Sequence, residues 1–186
     1  MTARILQSRK ESLVEACRAA DPSGVCIELG VYQSRSLRVL RNYFEGDIYG
    51  CDSFEGLPEQ WRPGFPKGIF ATRPQPIEGT ELIIGLFHQT FPNWLPTLTK
   101  PVTLIHVDCD IYSSTKYALF AIEPYMADGV VVLFDEYHAY PGWEDHEARA
   151  FDEFLEAHPW WTKTALHEVH KDEQVCFRLT LTGDRS

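Results

Sequence analysis

Two short apolar runs, each ending in acids, restrict this chain more than any other feature. Val102 to Val107 leads into Asp108-Cys109-Asp110, and Gly129 to Phe134 leads into Asp135-Glu136-Tyr137. Runs this short and this rich in Val, Leu and Ile, with a helical pattern between them, predict adjacent strands of a buried parallel sheet. Neighbouring strands lie ~4.8 Å apart and carboxylate oxygens bind a hard cation at ~2.0 to 2.6 Å, so acids at both strand ends come within reach of one divalent ion. In open α/β sheets the carboxyl ends of the strands are also where ligands sit.

The flanking sequence repeats this alternation. Val25 to Leu29 reads as a strand, Gly30 as a turn, and Leu37, Leu40 and Phe44 mark a helix; Ile48 to Cys51 is a second strand that delivers Asp52. From Gly30 to Asp52 the spacing is close to the ~20 residues between a glycine turn and a ribose-binding acid. Thr80 to Ile84 reads as a third strand ending at Gly85, a helix begins near Ser113 and another at Glu144, and Thr162 to Val169 with Gln174 to Leu181 forms a terminal hairpin. Ala3 to Ala20 has a rough helical period, so residues 1–22 read as an N-terminal helix and its stop. The expectation is an α/β, Rossmann-like, three-layer sandwich with a mostly parallel sheet and an antiparallel edge. Residues 53–79 fit neither period and combine five prolines with Trp61, Phe65 and Phe70; such a loop either walls a substrate pocket or covers a sheet edge.

Composition narrows the function classes. A chain of 186 residues, 44% hydrophobic, suits a single domain spanning 1–186. A formal net charge of -10, with no Lys/Arg run, argues against nucleic acid and anionic membrane surfaces as partners. The first ten residues lack an apolar signal core and no stretch is long enough to span a bilayer, so a cytoplasmic location is expected. Five cysteines without CxxC spacing read as buried free thiols.

Four segments together resemble class I S-adenosylmethionine-dependent methyltransferases, most of all the macrocin and mycinamicin sugar O-methyltransferase family. They are Glu28-Leu29-Gly30-Val31-Tyr32, Asp52-Ser53-Phe54-Glu55-Gly56-Leu57-Pro58, His106 through Thr115, and Phe134-Asp135-Glu136-Tyr137. The resemblance implies a seven-stranded sheet whose last strand is antiparallel. It assigns Glu28, Gly30 and Ser34 to the methionine end of the cofactor, Asp52 to the two ribose hydroxyls, and Ser53 and the segment after Gly85 to the adenine. Ser34 stands where a second glycine is common. The resemblance also implies Mg²⁺ on Asp108, Asp135 and Glu136, the last a departure from the more usual Asp. The alternative for Asp108 and Asp135 is to hold water and the helix caps, or to pair with Arg35.

Transfer from a sulfonium to a hydroxyl needs alignment and a proton acceptor. Asp108, which also borders the cofactor, and His138 are the candidate bases; His88 is a weaker one, His106 reads as a core residue, and Asp110 as an acid favouring a helix N-terminus. The expected acceptor is a small-molecule hydroxyl on a sugar, glycoside or other diol. Two other classes stay open: a nicotinamide-dependent oxidoreductase, against which the missing GxGxxG counts, and a noncatalytic S-adenosylmethionine-binding protein. Oligomeric state is open as well, a homo-oligomer included.

Overall fold

The computed structural model describes residues 3–183. In chain order these form β1 (Arg4–Leu6), α1 (Arg9–Ala19), β2 (Val25–Leu29), α2 (Arg35–Tyr43), β3 (Asp47–Asp52), β4 (Glu81–Ile84), α3 (Phe87–Trp94), β5 (Val102–Val107), α4 (Tyr112–Ile122), β6 (Met126–Phe134), α5 (Glu147–Ala157), β7 (Trp161–Val169) and β8 (Val175–Leu181). The strands make one sheet of eight, ordered β1-β7-β8-β6-β5-β2-β3-β4. Only β8 runs against the others, since it pairs antiparallel with both β6 and β7 while every other pairing is parallel. The expected α/β sandwich with a reversed last strand is therefore present.

Side-chain alternation along the strands divides the core in two. Val25, Ile27 and Leu29 of β2, Ile105 and Val107 of β5, and Val130, Val132 and Phe134 of β6 pack with Phe91, Leu119, Ile122, Phe151 and Phe154 from α3, α4 and α5. The intervening residues Cys26, Leu104, Val131 and Leu133 pack with Leu13, Ala16, Cys17, Leu37 and Leu40 from α1 and α2. Both faces of the central strands are covered, which is why they read as continuous apolar runs.

The N-terminus differs from the expectation of one helix from Ala3. A short strand, β1, adds an eighth member beside β7, and α1 begins only at Arg9. The break is local chemistry: the Ser8 hydroxyl accepts the Glu11 N–H at 3.2 Å, and the Glu11 carboxylate accepts the Gln7 N–H at 2.9 Å. The helix expected from Glu144 likewise starts at Glu147, behind a 3-10 turn at Trp143–Asp145.

All five cysteines are free and buried. Among the described residues no helix is long and apolar enough to cross a membrane.

Candidate active site

The chain runs outward from β2 to β3 and β4, then returns to the other side of β2 with β5 and β6. This reversal opens a crevice at the carboxyl ends of the strands. Each end is carried past the last ladder residue by one more hydrogen bond: Asp108 N–H to Leu29 O at 2.8 Å, Asp135 N–H to Val107 O at 2.8 Å, and Gly85 N–H to Asp52 O at 3.0 Å. Gly30 sits at φ +90°, and a Cβ there would lie 1.8 Å from the Asp108 carbonyl oxygen. Only glycine lets the turn after β2 lie against the end of β5.

The crevice is a cavity of about 690 Å³, lined among others by Gly30, Asp52, Ser53, Gly85, Asp108, Asp135 and Glu136. Asp52 also shapes the turn beside it. Its Oδ2 accepts the N–H groups of Val31 and Tyr32 at 2.8 and 2.9 Å, and its Oδ1 accepts that of Phe54 at 2.8 Å. An ionised carboxylate has about four lone-pair directions. Three are engaged here, so holding two ribose hydroxyls together requires one turn bond to be released.

Asp108, Asp135 and Glu136 each place one carboxylate oxygen within 4.8 Å of the others. Glu136 is buried and its Oε2 has no hydrogen-bond partner. Burial, then the charge of Asp135, raises both Asp108 and Glu136 well above the usual carboxylate range. Burial pushes Asp135 the same way, but the His106 ring and the Arg9 guanidinium override it and hold Asp135 down at about 2. The negative charge of the trio is thus anchored on Asp135.

Three residues expected at the cofactor or the proton lie elsewhere. Glu28 points to the α1/α2 side of the sheet, fully buried, where its Oε1 meets His106 Nδ1 at 2.9 Å; the parallel register sets the two residues side by side. Ser34 is buried at φ +57°, and its hydroxyl donates to the Gln75 carbonyl at 2.7 Å, so it ties down the long loop instead of facing the cavity. His138 is no part of the cavity wall. The N–H groups of Tyr137 and His138 bond the Glu173 carbonyl, which docks this segment on the turn between β7 and β8, and His138 Nε2 faces Glu168 Oε2 at 3.8 Å. Arg35 is exposed; the arginine paired with Asp135 is Arg9.

Residues 53–79 form one wall. Leu57 and Trp61 pack with Ile111 and Tyr140, and Phe65 and Phe70 close over them. The Arg62 guanidinium carbon lies 3.9 Å from the Trp61 ring centroid and 4.4 Å from that of Tyr140, facing the cavity. His88 also borders the cavity, from α3 beside Gly85.

Sequence reading missed four residues around the acids. Arg9 donates to Asp135 Oδ2, lies 3.4 Å from Glu136 Oε1, and bonds Asp172 Oδ1 through Nε at 3.0 Å. Gln174, fully buried, donates to Asp135 Oδ1. Glu147, fully buried, accepts the Glu136 N–H at 3.3 Å, and Arg62, which lines the same cavity, pairs with Glu173 Oε1 at 3.3 Å. The contacts of Arg9 and Gln174 with Asp135 span 126 and 39 residues, and no local periodicity encodes such pairs.

Residues 27–137 match the family model described as Methyltransferase domain. Among solved structures, calicheamicin methyltransferase CalS11 is 24% identical, with 94% of this chain and 77% of that chain covered and a TM-score of 0.68. The O-methyltransferase NovP is 18% identical over 92% of this chain and 79% of its own, with a TM-score of 0.69. MycE methyltransferase from the mycinamycin pathway, solved with Mg and S-adenosylhomocysteine, is 14% identical over 88% of this chain and 47% of its own, with a TM-score of 0.57. A search of curated proteins finds no match. The three structural likenesses are to a fold, and the family match covers more than half of the chain: it belongs to the methyltransferase-domain family, as a class I S-adenosylmethionine-dependent methyltransferase.

Proposed function

We propose that this methyltransferase moves the methyl group of S-adenosylmethionine to a hydroxyl oxygen of a small-molecule sugar, glycoside or other diol. In this reading Asp108, Asp135 and Glu136 hold a divalent cation, Mg²⁺ for preference. The observation that carries it is the shared cavity: the glycine turn and Asp52 border it at one end of the strand tips, and three convergent carboxylates, one with an unpartnered buried oxygen, border it beside them. Such a set of hard oxygen donors fits Mg²⁺ or Ca²⁺. CalS11 is a TDP-rhamnose 3'-O-methyltransferase and MycE was solved with Mg, which agrees with a diol-bearing acceptor and a metal.

The cation, when bound, acidifies a coordinated hydroxyl, as it does water. The chain's own residues do the rest. Backbone at Gly30 and the Asp52 carboxylate would hold the donor in the cavity that the acids also line. The acceptor oxygen forms the new C–O bond as the C–S bond breaks, and its proton passes to the Asp108 carboxylate. Asp108 lines the cavity beside Asp135 and Glu136, and a bound cation would keep its carboxylate ionised and able to accept that proton. Trp61, Phe65 and Phe70 cover the acceptor side and exclude water.

The decisive assay incubates the protein with S-adenosylmethionine and a panel of sugars, glycosides and catechol-type diols, and reads methylated product by mass spectrometry. Prior treatment with EDTA is expected to lower turnover at least ~10-fold, restored by Mg²⁺. Full turnover by metal-free protein would leave the acids as a base and its supports; a cofactor-binding protein inert toward the whole panel would make it a noncatalytic binder. Asp52→Asn is a second check. It turns one acceptor oxygen into an NH2 donor, which must face either the ribose and the Val31 and Tyr32 N–H groups or that of Phe54, and S-adenosylhomocysteine affinity by calorimetry should fall at least ~10-fold. An unchanged affinity would move the ribose elsewhere.

A further inference from the structure

We infer that Arg9 is a built-in competitor for the divalent cation: its guanidinium occupies the faces of Asp135 and Glu136 that a metal must use, and so sets how tightly the site takes one. This rests on the metal reading proposed above. Asp135 has two carboxylate oxygens and both are engaged, Oδ1 by Gln174 and Oδ2 by Arg9. Gln174 is fully buried, on the segment that opens β8, and cannot easily withdraw. Arg9 can. Its side chain is 42% exposed, and its Nε holds Asp172 at 3.0 Å, an anchor that remains when the terminal nitrogen lets go.

The placement of Arg9 supports a role at the acids over one in its own helix. It is the first residue of α1, where the positive end of the helix dipole disfavours a cation. The charge around it supplies the compensation: Asp135, Glu136 and Asp172 all lie within ion-pair reach. Without metal, Arg9 neutralises part of a cluster that would otherwise repel itself. With metal, the guanidinium swings to Asp172 and frees Asp135 Oδ2 and Glu136 Oε1. Arg9 is therefore a positioning residue, and it shifts occupancy of the site to higher cation concentrations than an uncovered carboxylate trio would need.

Calorimetric titration of Mn²⁺ into the intact chain and into Arg9→Met tests this without reference to turnover. Removing two charge-assisted contacts from the ligands should tighten Mn²⁺ binding by roughly 10- to 100-fold. Equal or weaker binding by Arg9→Met would overturn the role of Arg9 alone. No Mn²⁺ binding by either protein would overturn the metal reading and this inference with it. Should Arg9→Met not fold, the unmodified chain decides: an Arg9 Nη–H resonance, identified by its loss in Arg9→Lys, is expected to shift as Mg²⁺ saturates the site. A resonance that stays in place at saturation would overturn the competition.

Discussion

Asp108→Asn is expected to lower methyl transfer about 1,000-fold while S-adenosylhomocysteine binding changes by no more than a few-fold. The amide has the shape of the carboxylate and preserves the backbone bond from Asp108 N–H to Leu29 O that closes the end of β5. What it loses is an anionic oxygen for the cation and the ability to take a proton. Both losses act on the transition state, so kcat falls and the acceptor KM moves less. Asp135→Asn is a poorer probe, because Arg9 and Gln174 both donate to that carboxylate and an amide nitrogen there would face a donor. Single-turnover rates with saturating cofactor measure the effect. An Asp108→Asn protein retaining a tenth of the native rate would remove Asp108 from the proton path.

The difference between these two aspartates shows what a sequence displays and what it hides. Asp108, Asp135 and Glu136 were legible because strand-length apolar runs put them at neighbouring strand tips, and parallel pairing of β5 with β6 leaves little choice of register. Gly30 was legible for the same reason, as the first residue after a strand. Glu28 was misread because its position before Gly30 suggests the cavity, whereas it lies wholly buried below the strand tip, paired with His106 and outside the cavity wall. His138 was misread because two residues past a strand the chain is free to turn, and here Glu173 turns it. Arg9, Gln174 and Glu147 come from elements folded back over the acids, so only tertiary packing reveals them. One signal was overlooked: Ser8 followed three residues on by Glu11 marks the start of α1, and with it the exposed end that carries Arg9.

His106→Leu should cost about 3 to 5 kcal/mol of stability, because it leaves Glu28 buried and unpaired. His106 Nδ1 lies 2.9 Å from Glu28 Oε1, its Nε2 faces Asp135 Oδ1 at 3.8 Å, and both His106 and Glu28 are fully buried. Burial alone would lower the imidazole, yet Asp135 and Glu28 raise it to about 10. An unfolded histidine titrates near ~6.5. The folded state therefore holds this proton more tightly than the unfolded state, and the stability it contributes is fully present below pH ~6.5 and is lost as pH rises toward about 10. Glu28, raised first of all by burial, acts in the same sense, since it too releases stability as pH climbs. Urea denaturation at pH 6.5 and at pH 10 should show native stability falling between them, and His106→Leu falling less. The double variant Glu28→Leu with His106→Leu should regain much of the loss, because two apolar groups replace a pair instead of stranding one charge. Its methyl transfer should stay low all the same: without the imidazolium, less holds Asp135 ionised at the mouth of the cavity. A double variant both stable and fully active would make the buried pair a packing feature only, with no hold on the acids above it.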